Sequence, residues 1–190
     1  MEKLLFLGTM LALILPSGLQ ANNNRTFFFS AGLGSYSATA NMNPDKTLYA
    51  SGYVNAGYRF TRCYSLGVTF LSGRQLHSNF LTIRPVEVFL DQRFRLLPTR
   101  IQPYIGIGTG FANIYGTEHR VGESVFNERD FLFLYGGGVE APVTRRFGVV
   151  LDVRHHLYMD DFPANFPSIR DGSIKSVTVS VGVTYRIRPY

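Results

Sequence analysis

The sequence predicts an all-β protein: an eight-stranded antiparallel up-and-down transmembrane β-barrel behind an N-terminal signal peptide. Three observations predict it. Residues alternate between two characters in segment after segment, with a period of two that belongs to strands and not helices. Beyond the first 21 residues no run approaches the ~20 consecutive apolar residues that a membrane helix needs. The links between the alternating segments are themselves alternately short and long.

The first stretch, MEKLLFLGTMLALILPSGLQA, carries Lys3, an apolar run over 4–15, the helix breakers Pro16 and Gly18, and small residues up to Ala21. That is the layout of a secretory signal, too short to span a bilayer and without a stop-transfer flank. Cleavage is expected after Ala21, which leaves residues 22–190 as one barrel domain. Cys63 is the single cysteine, so no internal disulfide framework is available.

The alternating segments cover 26–37, 47–60, 63–72, 82–95, 102–115, 131–142, 147–158 and 174–188. Each holds roughly ten residues or more, the length a tilted strand needs to cross a bilayer. The last is the plainest: Val177, Val179, Val181, Val183, Tyr185 and Ile187 share one parity, and Ser176, Thr178, Ser180, Gly182, Thr184 and Arg186 the other. Short links follow the second, fourth and sixth segments, at Thr61-Arg62, at 96–101 and at 143–146. Longer polar links, ATANMNPDK, GRQLHSNFL, GTEHRVGESVFNERD and MDDFPANFPSIRDG, follow the others. Strict alternation puts every short turn at one end of the array and every long loop at the other.

One parity is apolar through the middle of the segments, from Phe27, Phe29, Ala31 and Leu33 to Val149, Leu151 and Val153, and no Asp, Glu, Lys or Arg falls on it there. The opposite parity holds Gly, Ser, Thr and Asn, together with Glu87, Asp91, Glu140 and Asp152 against Arg59, Arg93, Arg154 and Arg186. Alternation by itself also permits a soluble barrel with these charges outside. The signal peptide, the sidedness of the loops, the four-to-four charge balance and the aromatic placement favour the inverse. Phe27, Tyr58, Phe60, Tyr64, Phe94, Phe147 and Tyr185 gather by the short turns, and Phe70, Phe111, Phe131 and Phe133 by the long loops. Two aromatic belts fit the two membrane interfaces.

Closing the sheet leaves no unpaired edge in lipid, and eight strands enclose a lumen that side chains can fill. Glycines 106, 108, 110, 136 and 138 make room there for long charged chains. Buried charges are tolerated when paired and hydrogen-bonded, so a plugged polar lumen is expected. Arg62, Arg95, Arg100, Arg145, Arg146 and Arg188 are expected at the short-turn end, at the level of lipid headgroups.

The segments QPYIGIGTG (102–110), YGGGVEAPVTRRFGVVLDVRHH (135–156) and the final VGVTYRIRPY resemble the small eight-stranded outer-membrane barrels of Gram-negative bacteria: the membrane domain of outer membrane protein A, outer membrane protein X and the opacity-type adhesins. The resemblance covers 22–190. It implies residence in the cell outer membrane with both termini periplasmic, contact with outer-membrane lipid and lipopolysaccharide, and insertion by the barrel assembly machinery reading the terminal aromatic, here Tyr190. Glu140 and Arg154 match in kind the interior ion-pair positions of such barrels. The last segment reaches 188, so no peptidoglycan-binding domain is expected, and that role of outer membrane protein A is not expected to carry over.

The same fold class includes lipid A-modifying enzymes. Resemblance to the lipid A 3-O-deacylases would require a Ser two residues after a lipid-facing His on the seventh strand; His155 has that parity, but Leu157 follows it. Without the hydroxyl no Ser-His nucleophile exists. Adjacent His155 and His156 point to opposite sides of a strand, so at most one joins Asp160 and Asp161 at a metal. GIGTG lacks the strand-to-helix context of a phosphate loop, and the arginines, despite a net charge of +6, form no aromatic-basic cluster for nucleic acid. The expectation is a monomeric, non-enzymatic, porin-like protein without cofactor, its long loops open to a surface ligand such as an adhesion target. The alternatives are a deacylase-type enzyme and a narrow small-solute channel.

Overall fold

The computed structural model describes residues 25–39, 47–75, 81–97, 100–118, 124–158 and 175–187. All eight elements are strands: β1 (Thr26–Thr39), β2 (Thr47–Arg59), β3 (Tyr64–Gln75), β4 (Leu81–Arg95), β5 (Gln102–Glu118), β6 (Ser124–Pro142), β7 (Phe147–Tyr158) and β8 (Lys175–Ile187). Each pairs antiparallel with the next, and β8 returns to β1 in the register Phe27↔Ile187 to Thr39↔Lys175, so the sheet closes. The order and parity are those of the sequence pattern. The signal segment, Arg188, Tyr190, Asp160 and Asp161 lie outside the described residues.

One long link differs from expectation. GTEHRVGESVFNERD contributes to both neighbours: β5 runs on to Glu118 and β6 begins at Ser124, in the register Tyr115↔Asn127 and Glu118↔Ser124. Its polar composition marks exposure to water and not the end of pairing, because an antiparallel ladder can continue beyond the lipid once no side chain needs to be apolar.

The apolar parity faces outward. Phe29, Leu33, Val54, Val68, Val88, Ile105, Leu151 and Val181 are all exposed, Leu33 to 75%. The eight charged residues assigned to the opposite parity point into the barrel, where Glu87 and Glu140 are 0% and 1% exposed. A soluble barrel would need the reverse, since burying four acids to expose an apolar wall loses on both counts. Facing hydrocarbon, the same wall satisfies its solvent, and closure pairs each strand on both sides.

The aromatics at the short-turn end form a girdle. Ring contacts run from Phe27 to Tyr58 (4.7 Å between centroids), to Phe60 (4.9 Å), to Tyr64 (5.7 Å) and to Phe94 (5.2 Å), and Phe147 meets Tyr185 at 5.0 Å. Near the other end Phe111 and Phe131 meet edge-on at 5.9 Å, with the Arg129 guanidinium 4.9 Å above the Phe111 ring. These rings have an apolar body and a polarisable face, which suits the boundary between acyl chains and headgroups.

The lumen is not wholly polar. Tyr36, Tyr53, Leu71, Phe89, Ala112, Ile114, Leu132, Leu134 and Tyr158 form a buried cluster inside it. The polar expectation overlooked that an eight-stranded interior must be filled by volume, and large inward rings need small partners opposite. Gly138 is such a partner: a Cβ there would sit 2.8 Å from the Tyr104 ring carbon that bears the hydroxyl.

Candidate functional site

The lumen arranges its polar groups in three layers between the short turns and the long loops. The first is built on Glu140 of β6, which lies opposite Gln102 in the ladder and faces three strands across the barrel. Its carboxylate accepts from the Arg59 Nη2 at 2.9 Å and from the Arg95 Nη2 at 2.7 Å, and it pairs with Arg186. Arg95 also donates to the Ser65 Oγ at 3.2 Å. One carboxylate therefore holds three guanidiniums from β2, β4 and β8, a cluster with an excess of positive charge.

Arg95 is a correction. It was expected with the turn arginines, yet it is buried in the lumen. Alternation along β4 carries the signal, because Arg95 shares the parity of Glu87, Asp91 and Arg93, and reading one step further would have included it.

The second layer uses the same device on two strands. In DQR of β4 and DVR of β7 the acid and the arginine are two residues apart and so share a face. Arg93 Nε donates to Asp91 at 2.7 Å, and Arg154 Nε donates to Asp152 at 2.7 Å. Arg154 Nη1 then reaches across the lumen to Asp91 at 2.8 Å, which joins the two pairs. The Tyr104 hydroxyl donates to Asp152, and its ring lies 5.2 Å beneath the Arg93 guanidinium. Gly106 makes the crossing possible: a Cβ there would stand 2.8 Å from the Arg154 guanidinium carbon. Glu140 and Arg154, matched above to interior ion-pair positions, are both inside but do not pair with each other. They anchor different layers.

The third layer centres on His156, fully buried on the inward parity of β7. Its Nδ1 lies 2.8 Å from Glu87 and its Nε2 lies 2.8 Å from the Thr178 hydroxyl. Glu87 also accepts from the Tyr158 hydroxyl at 2.6 Å, and Tyr158 bonds Tyr36 of β1. Both imidazole nitrogens are thus engaged, which leaves neither for a metal. Asp130, assigned by sequence to a loop, lies on the inward parity of the extended β6 and is 5% exposed. Among the residues whose side chains are described, Arg95 and Asp130 bring the interior charges to five acids and five arginines, Glu87, Asp91, Asp130, Glu140 and Asp152 against Arg59, Arg93, Arg95, Arg154 and Arg186.

The arrangement of Thr178, His156 and Glu87 has the hydroxyl–imidazole–carboxylate connectivity of a hydrolytic triad. Its surroundings are those of a brace. All three groups are buried among Tyr36, Tyr158 and Ser176, away from the lipid face. His156→Ala is expected to lower stability by about 1–3 kcal/mol, because Glu87 loses a charge-assisted bond it cannot replace from water. The midpoint of the thermal transition between compact and extended gel species, compared with that of wild type, checks this.

On the outer wall His155 stacks on Tyr135, with ring centroids 5.1 Å apart and planes 8° from parallel. Its neighbours along the strand on that face are Val153 and Leu157, neither of which offers a nucleophile.

A closed eight-stranded sheet with an apolar exterior, two aromatic levels and an ionised, packed interior is a membrane-spanning β-barrel. No protein-family model matches the chain, and no curated protein matches it. Solved structures do. Neisserial surface protein A aligns with a TM-score of 0.69 at 13% identity, over 85% of this chain and 97% of that one. Ail, the attachment invasion locus protein of Yersinia pestis, aligns at 0.56 with 15% identity, over 85% and 98%. The outer membrane enzyme PagL aligns at 0.51 with 14% identity, over 84% and 99%. The chain has the fold of the small eight-stranded outer-membrane barrels.

Proposed function

We propose that this chain is a monomeric, non-enzymatic barrel of the Gram-negative outer membrane, with a structural or surface-interaction role. In this reading 1–21 is a removable signal, 22–190 is the barrel, and Tyr190 is the residue the assembly machinery reads. The short turns and both termini face the periplasm, and the long links face outward.

The observation that carries the reading is the packed lumen. Its charges are tied across strands in three layers, and the cavity among Tyr53, Asp91, Arg93, Asp152 and Arg154 measures about 30 Å³, the scale of one or two water molecules. A solute passage needs a continuous aqueous path, and opening one here would separate buried ion pairs. The network of Arg59, Glu87, Asp91, Arg93, Glu140, Asp152, Arg154 and Arg186, with Arg95 and His156, therefore acts as an internal scaffold that leaves the long links free to vary.

Ail is named for attachment and invasion, and one of its structures holds the heparin analogue sucrose octasulfate; a comparable surface role suits a rigid barrel that presents loops. PagL is an enzyme on the same fold, but in this chain Leu157, and not a serine, stands two residues after His155, so the Ser-His pair is missing at that place. The test is in two parts. In planar bilayers the purified barrel is expected to give no discrete openings, and cells expressing it are expected to show an unchanged lipid A mass spectrum, with His155→Ala identical to wild type. Stepwise conductance, or a lipid A species that depends on His155, would overturn the reading.

A further inference from the structure

Two of the three short turns share a construction that neither the lumen nor the girdle requires. Thr61-Arg62 and Thr144-Arg145 occupy equivalent places in these two, and the third carries Thr99-Arg100. In the first, the Thr61 Oγ1 accepts from the Cys63 and Tyr64 amides at 3.2 and 3.0 Å, while the Phe60 and Thr61 amides donate to the Tyr64 carbonyl. In the turn after β6, the Thr144 Oγ1 accepts from the Arg146 and Phe147 amides at 3.2 and 2.9 Å, while the Val143 and Thr144 amides donate to the Phe147 carbonyl. The bonds correspond one to one. Each threonine ties down the backbone through its hydroxyl, and the arginine after it is left exposed on a fixed support. Arg62, Arg100, Arg145 and Arg146 are all exposed.

Two further facts choose the occupant. Residues 60–63, 96–101 and 143–146 contain no Asp or Glu, so nothing in the turns neutralises these guanidiniums. Beside them Leu96, Ile101 and Val143 are 58%, 59% and 67% exposed; Leu96 and Ile101 continue the outward parity of β4 and β5, just beyond the girdle rings of Phe60, Phe94 and Phe147. Aliphatic side chains outward of a ring of arginines match an acyl-chain boundary beneath a phosphate plane. They do not match a water-filled gap facing a polymer or a soluble protein.

We propose that the short-turn rim is a binding surface for anionic phospholipid of the adjacent leaflet, with the turn arginines on the phosphodiester groups and Leu96, Ile101 and Val143 in the acyl-chain boundary. Guanidinium suits this ligand because its planar fork donates two parallel bonds to phosphate oxygens. Assigning that leaflet to the periplasmic side rests on the function proposed above; the lipid preference itself does not.

The experiment titrates the mature barrel, folded in a zwitterionic detergent, with short-chain phosphatidylglycerol or phosphatidylcholine and follows the arginine Nε–Hε resonances. Saturable shifts of Arg62, Arg100, Arg145 and Arg146 with phosphatidylglycerol alone are expected, with binding weakened about fivefold for each arginine removed in R62Q, R145Q and R146Q. Equal response to both lipids, no response, or undiminished binding in the triple variant would overturn the proposal, as would shifts produced by soluble muropeptides and not by the anionic lipid. The wild-type titration stands whether or not the variants fold. Cell fractionation that placed the barrel elsewhere than the outer membrane would remove the functional reading and leave the lipid selectivity intact.

Discussion

Glu140→Gln is expected to destabilise the barrel by about 3–5 kcal/mol, because it leaves Arg59, Arg95 and Arg186 confined together without a counter-charge. The wild-type carboxylate is the single acid among three guanidiniums, at 2.9 Å from Arg59 and 2.7 Å from Arg95. Removing one arginine has the opposite bookkeeping. Arg186→Met relieves repulsion from the other two arginines while Glu140 keeps two partners, so its cost should be much smaller. Urea unfolding of both variants from lipid vesicles, followed by tyrosine fluorescence, separates them. Equal costs would mean that the cluster is held by packing and not by the carboxylate.

Leu151→Arg is expected to cost about 2–4 kcal/mol in the same assay, the penalty of a guanidinium on the lipid face near the middle of a barrel wall. Leu151 is 48% exposed, opposite Val139 and Val181 in neighbouring strands. At a comparably exposed site on a water-soluble protein the change would fall within about 0.5 kcal/mol. The size of the effect therefore reports which solvent the wall meets. A negligible cost would contradict a hydrocarbon environment, whatever the fate of Glu140→Gln.

The architecture was legible because lipid imposes a severe rule on each strand. Val177, Val179, Val181 and Val183 have no freedom to be polar, so parity, strand number and the side facing hydrocarbon could be read from letters alone. The rule lapses where lipid ends. That is why the letters of Ser124 to Asp130 suggest a loop although β6 passes through it, and why Arg95, one step from the turn, looks in sequence like a headgroup residue. Inside the lumen, sequence identified the charged set but not its partners. Partnership depends on the register between strands far apart in the chain: Arg154 meets Asp91, and Glu140 meets Arg59 and Arg186, through the stagger that closes the sheet. His156 was invisible for the same reason, since its bonds to Glu87 and Thr178 join β7 to β4 and β8. The two D-x-R triplets were the one local clue, because residues two apart in a strand always share a face.

The meeting of β8 with β1 has a consequence for how the protein is made. Ser30 finds Thr184 at a separation of 154 positions along the chain, and Arg186 reaches Glu140 only when the last strand is in place. Until then two raw sheet edges stand open, and the slowest, most distant contacts in the chain are still outstanding. A chain cut short of residue 175 would be a curled sheet with both edges unpaired, so the cylinder can close only once its last strand is present.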